Sequence, residues 1–70
     1  MTRGVVYRVI VKEPLDPSWA EWFEGFDLGV TANGETTITG CIRDQAALHG
    51  LLDRVRNLNL TVCSLFVVTP

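Results

Sequence analysis

Few residues in this chain have types and spacings that could do chemistry. His49 is the single histidine, with Asp53 four residues later, Arg56 seven later and Gln45 one turn earlier. On a helix that spacing gathers all four on one flank. A carboxylate beside an imidazole can orient it as a general base. No serine, cysteine or second acid is tied to the pair, however, and the shared flank is the solvated one. A surface histidine is therefore the better reading, with a weak anion site or a polar seam between subunits as the alternative use of Gln45, His49 and Arg56. Cys41 and Cys63 lack metal-like spacing, and a tetrahedral zinc site needs four clustered donors. No metal and no cofactor is expected, and both thiols are expected to be reduced and structural. The six glycines are dispersed, so no glycine-rich phosphate loop is present in the sequence.

Trp19, Trp22, Phe23 and Phe26 recur at i, i+3, i+4 and i+7. On a helix these rings form one stripe. The stripe could be a ligand-stacking platform, with Trp19, Trp22, His49 and Arg56 lining a pocket completed by oligomerisation. The favoured reading is a core-forming helix, because bulky rings are how two or three turns bury enough area.

These side chains must be positioned by regular elements, and the clearest is Asp44–Leu60, DQAALHGLLDRVRNLNL. Asp44 can cap the first turn. Ala47, Leu48, Leu51, Leu52, Val55 and Leu58 form an apolar stripe, Arg54 and Arg56 suit the negative helix end, and Asn57 or Asn59 can take a left-handed cap. Upstream, Val5–Lys12 alternates as a central strand, with Val5, Tyr7, Val9 and Val11 on one face and Val6, Arg8, Ile10 and Lys12 on the other. Pro14 and Pro17 end it, and Asp16 or Ser18 is the expected cap of the aromatic helix, which Gly25 can stop. Phe26–Ala32 and Glu35–Ile42 read as a hairpin joined at Asn33-Gly34 by a type I′ turn. Leu60–Thr69 closes the chain as a nearly continuous apolar strand.

Strand, helix, hairpin, helix, strand is the β-α-β-β-α-β order of the ferredoxin-like sandwich. The expected fold is thus α+β, with an antiparallel four-stranded sheet and two helices on one face, over a single domain spanning residues 1–70. Strands one and three would be central, so strand one would separate Cys41 from Cys63 and leave no geometry for a bridge. If Val5, Tyr7, Val9 and Val11 face the helices, the face without them carries Val6, Arg8, Ile10 and Lys12 beside Thr37, Thr39 and Cys41. Strand four would add either Cys63, Leu65 and Val67 or Val62, Phe66 and Val68. It would also be an edge with no lysine and no internal proline.

Composition sharpens that concern. A chain of 70 residues, 47% of them hydrophobic, is too apolar for disorder. A domain this small buries only about 60% of the surface its unfolded chain exposes. Surplus apolar surface points to self-association, and a two-fold homo-oligomer is the commonest arrangement. The expected interface comprises Ile10, Cys63, Leu65, Phe66, Val67 and Val68, with Ala46 and Gly50 on the outer side of the second helix as a place for close approach. The charge of −2 and the scattered basic residues exclude a nucleic-acid footprint. No stretch reads as a signal peptide or a membrane span, so a cytoplasmic location is expected.

Enzymes and binding modules of the same topology each lack a part here. Acylphosphatases carry a glycine-rich, arginine-bearing loop after the first strand, where this chain has KEPLDPS. Metal-chaperone modules carry C-x-x-C there, and RNA-recognition motifs need aromatic and basic groups where this chain has ETTITGC. A more specific resemblance lies in the second helix. DQAALHGLLDRVRNLNL, with the upstream W-x-x-W-F segment and the N-G hairpin, resembles a group of very short uncharacterised bacterial proteins that carry D-Q-A-A-L-H-G-L-L-x-R-[VI]-R-x-L-x-L. The resemblance implies a bacterial, cytosolic, stand-alone domain and brings no activity. In those proteins a glycine often follows the helix where Asn57 or Asn59 stands here. The reading is a non-enzymatic, self-associating module, with a small-ligand sensing domain as the alternative.

Overall fold

A computed structural model describes residues 4–15 and 17–69. The chain runs through β1 (Val5–Val11), a 3₁₀ helix (Pro17–Phe23), β2 (Asp27–Val30), β3 (Thr36–Ile42), α1 (Gln45–Asn57) and β4 (Val62–Thr69). The four strands form one antiparallel sheet in the order β2-β3-β1-β4, so β1 and β3 are central and β2 and β4 are edges. With one α-helix beside that sheet, the class is α+β.

The aromatic segment departs from expectation, because it is a 3₁₀ helix and not an α-helix. Pro17 opens it and Gly25, with φ of 87°, turns the chain just beyond it. Seven residues are too few to nucleate an α-helix unaided. Three residues per turn align positions i and i+3, which splits the stripe expected from α-helical spacing. Phe23 is fully buried, Phe26 packs against the core, Trp19 is half-buried and Trp22 is 55% exposed. Of the two expected caps, Asp16 lies outside the described residues and Ser18 falls inside the element.

One face of the sheet holds the core. Val9 and Val11 of β1 join Ile38 and Ile42 of β3, Leu51 and Val55 of α1, and Phe23. Opposite residues on neighbouring strands share a face, and Val9 pairs with Ile38 while Val11 pairs with Thr36. Thr36 is the polar residue buried there among the described residues, and its hydroxyl is satisfied twice. It donates to the Glu13 carbonyl at 2.9 Å and accepts the Leu15 N–H at 3.0 Å, which pins the connection after β1 to the start of β3.

Gly40 is needed for close approach. A methyl group there would collide with the Phe26 ring, which crosses the sheet over that position. Gly40→Ala is expected to displace the ring and cost about 1–3 kcal/mol of stability. A urea midpoint equal to that of the unsubstituted chain would mean that Phe26 does not pack on Gly40.

The helix is bounded as its sequence requires. The Asp44 carboxylate accepts the Ala47 N–H at 2.8 Å. At the other end Asn59 holds a φ of 61°, Leu60 N–H reaches the Val55 carbonyl at 3.1 Å and Asn59 N–H the Arg56 carbonyl at 2.9 Å. Those paired bonds form a Schellman cap, in which the left-handed residue is Asn59 and not Asn57.

The hairpin differs from the expected type I′ turn. Thr31 N–H bonds the Glu35 carbonyl at 2.8 Å, Gly34 N–H bonds the Thr31 carbonyl at 3.0 Å, and only Gly34 has positive φ, at 84°. This is the pattern of a three-residue loop, a type I turn followed by a glycine bulge. The Thr31 hydroxyl stabilises it by accepting the N–H groups of Asn33 and Glu35. A single left-handed residue then suffices, and Asn33 keeps negative φ.

Candidate functional site

The residues singled out for chemistry are not gathered by the fold. His49 is exposed on α1, and Asp53 lies 3.9 Å from Arg56, both side chains being largely in solvent. Among the described residues no hydrogen bond joins His49 to Asp53. Two of the hollows among the described residues are well formed. One of about 420 Å³ is lined by residues of β2 together with Leu15, Ala20, Phe26 and Thr36, and one of about 170 Å³ lies between the start of β1 and the start of α1. Neither is lined by Trp19, Trp22, His49 or Arg56. Trp22 meets α1 through its backbone, the carbonyl accepting an Arg54 guanidinium N–H at 2.7 Å. Among the described residues no three His, Cys, Asp or Glu side chains converge where they could hold a metal ion.

Of the residues singled out for an interface, Cys63, Leu65, Phe66, Val67 and Val68 lie on β4, Ile10 on the neighbouring β1, and Ala46 and Gly50 on α1. The register of β4 follows from β1: Leu65 opposes Val9 and Val67 opposes Tyr7, placing both on the helix-bearing side, while Ser64 opposes Ile10 and Phe66 opposes Arg8 on the other. The register shifts between Ile10 and Val11 and again between Val6 and Tyr7. Only the run from Ser64 to Val67 therefore pairs without interruption. The sequence offered two alternatives for the uncovered set of strand four. Both sets are exposed: Val62, Leu65, Phe66, Val67 and Val68 lie between 38% and 46% in solvent, and Cys63 is exposed as well. α1 packs against β3 and the β1 valines, and among the described residues no β4 side chain belongs to the core.

The backbone of β4 is equally open. Lys12 N–H reaches across to the Thr61 carbonyl, and along a strand alternate residues direct both N–H and C=O to the same side. Ile10 and Arg8 therefore face β4, and Val9 and Tyr7 face β3. Their partners follow: Ser64 and Phe66 bond β1, whereas Leu65 and Val67 direct their N–H and C=O groups to the outside of the sheet, where no described strand pairs with them. The other edge differs. β2 has four residues, begins at an aspartate and is a poor template.

The sheet face without helices is more polar than its β4 margin. One row across it reads Asp27, Thr39, Arg8, Phe66 and the next Gly29, Thr37, Ile10, Ser64. Arg8 Nε donates to the Thr39 hydroxyl at 3.0 Å, which ties the charge to the sheet. Ile10 is half-buried between threonine and serine. On the outer side of α1, Ala46 and Gly50 are exposed, and a Cβ added at Gly50 would meet nothing within 4 Å. No packing among the described residues requires that glycine.

The entrance to β4 is clamped by a carboxylate. Glu13 Oε1 accepts the Thr61 N–H at 2.7 Å and Oε2 the Thr61 hydroxyl at 2.8 Å. The backbone N–H, and then the hydroxyl, hold the Glu13 carboxyl below its ordinary value. A lowered folded-state pKa means that the unfolded chain binds the proton more readily. The clamp's contribution to stability is thus complete above the ordinary glutamate range and is lost as pH falls through the folded value. Glu13→Gln is expected to flatten that part of the decline in urea midpoint between neutral pH and about pH 3. An identical decline in the variant would contradict the clamp. Nearby, desolvation, followed by the hydrogen bond and charge of Glu35, pushes the Cys63 thiol up, so it is a poor source of thiolate. Cys41 and Cys63 are both free, on strands that β1 separates.

Sequence reasoning missed the Glu13 clamp, the Thr36 hydroxyl and the Gly40 contact. Each joins residues far apart in the chain, unlike the Asp44 cap, whose signal is local. No helix among the described residues is long and apolar enough to cross a membrane. No curated protein and no solved structure matches the chain. A family model described as a domain of unknown function, DUF8691, matches residues 6–65, from β1 into β4, and the chain belongs to that family.

Proposed function

We propose that this chain is a non-enzymatic, self-associating module that joins copies of itself through β4, as an assembly or interaction unit in the cytoplasm. One observation carries the reading: among the described residues β4 is the longest strand, wholly uncharged, outside the core on both faces and unpaired along its outer edge. An edge with none of the usual guards is a template for another strand. We further assign the fold to the ferredoxin-like class, its first helical unit reduced to a 3₁₀ turn. The strand order β2-β3-β1-β4 and the crossover from β3 through α1 to β4 support that assignment.

The polar rows of the uncovered face narrow the interface to the β4 margin. Threonines, Arg8 and Asp27 are solvated there at little cost, whereas Leu65, Phe66 and Val67 are not. Amide hydrogen exchange tests the reading. On raising the protein concentration, the Leu65 and Val67 amides, which have no partner in a single subunit, are expected to gain protection. Unchanged exchange at both positions at every concentration would overturn it.

A further inference from the structure

The geometry points to a specific partner and register for β4: a second copy of this chain, paired antiparallel about a two-fold axis that passes through Phe66. The inference rests on the proposal that β4 is the joint, and it adds which residues meet.

Three constraints fix the register. Two copies related by a two-fold pair residue i with residue j when their numbers sum to a constant, and both must lie on the same face of the joined sheet, so the sum is even. Residues that exchange backbone bonds must also present their N–H and C=O groups outward, which within the regular run means Leu65 and Val67. Finally, the pairing must avoid the two register shifts that flank Ser64–Val67. An axis at Leu65 would set Val67 against Cys63, within the first irregularity. An axis at Val67 would set Leu65 against Thr69, beyond the second. An axis at Phe66 pairs Leu65 with Val67 of the other copy twice, and uses only the regular run.

Side chains and charge agree with that choice. The two Phe66 rings meet on the uncovered face as a close, non-hydrogen-bonded pair, with Cα atoms about 4.5 Å apart. Leu65 of each copy packs on Val67 of the other on the helix side, where α1 leaves β4 uncovered. No charged residue lies between Leu60 and Pro70, so no like charges are opposed on the paired strands. The nearest cations, the two Arg8 side chains, are three strand spacings apart, roughly 14 Å. That exceeds the screening length of about 8 Å at physiological salt. The product is an eight-stranded sheet with both α1 helices on one side. A single strand pair is a small interface, below roughly 1,200 Å² in total. The association is therefore weak and concentration-dependent.

Cysteine cross-linking reads the register directly. In a Cys41→Ser, Cys63→Ser background, Phe66→Cys places two thiols on the axis, within the Cα range that a disulfide spans, about 4.4–6.8 Å. Leu65→Cys places them roughly 8 Å apart, beyond reach. Under mild oxidation Phe66→Cys is expected to give a covalent dimer and Leu65→Cys a trace at most. Cross-linking at Leu65→Cys, or at neither position while the unsubstituted chain sediments as a dimer, overturns this register and leaves self-association standing. A chain monomeric at all concentrations removes both. Isotope-filtered NOEs between Phe66 rings of labelled and unlabelled copies locate the same axis without substitution: their presence supports it, and their absence in a sedimenting dimer contradicts it.

Discussion

Phe23→Ala is expected to lower stability by about 3–5 kcal/mol and leave a large fraction of the chain unfolded in buffer. Phe23 is fully buried and is the largest side chain in a core of seven buried hydrophobic residues among those described. A domain of this length has roughly 4–10 kcal/mol of stability in total, so one ring carries much of it. The 3₁₀ helix has too few residues to hold its shape unaided, and the Phe23 anchor keeps it on the sheet. Trp22→Ala, at a side chain 55% exposed, is expected to change stability by less than about 1 kcal/mol. Urea titration followed by far-UV circular dichroism separates the two. Equal midpoints would mean that the aromatic segment is packed differently.

The second large effect concerns association and not folding. Replacing Leu65 and Val67 together by lysine is expected to abolish self-association, weakening it at least about a hundredfold. In the two-fold register each new lysine stands directly opposite another, and lysine is also the residue with which natural edge strands repel a neighbour. Neither side chain is in the core, so the monomer should keep its stability to within about 1 kcal/mol. Ala46→Lys, on the outer side of α1, should leave association unchanged. If the double variant still associates like the unsubstituted chain, β4 is not the joint.

How much of this was legible in the sequence depended on the range of the interaction. α1 was readable with its cap and its buried stripe, because Asp44, Leu51 and Val55 carry local signals of one period. The alternation of β1 separated two faces without saying which meets the helix, and the structure sets Val9 and Val11 against it. The 3₁₀ helix was not readable, since i, i+3 spacing is shared by both helix types and the stretch between Pro17 and Gly25 is short. At the hairpin, Asn33-Gly34 marked the turn, but the Thr31 side chain selected a longer loop. For β4 the sequence left two faces open as alternatives. α1 sits over β3 and β1, and two register irregularities interrupt the pairing of β4, so both remain in solvent. Trp19, Trp22, His49 and Arg56, which sequence pattern grouped as a pocket lining, line neither of the hollows described above.

Sedimentation equilibrium of the unsubstituted chain, from about 1 μM to about 1 mM, the span over which a weak strand-pair interface is expected to form, bears most directly on the central idea that an apolar, unguarded final strand is completed by another copy. The apparent mass is expected to rise from 7.8 kDa toward twice that value. A mass of 7.8 kDa across the whole range would contradict it.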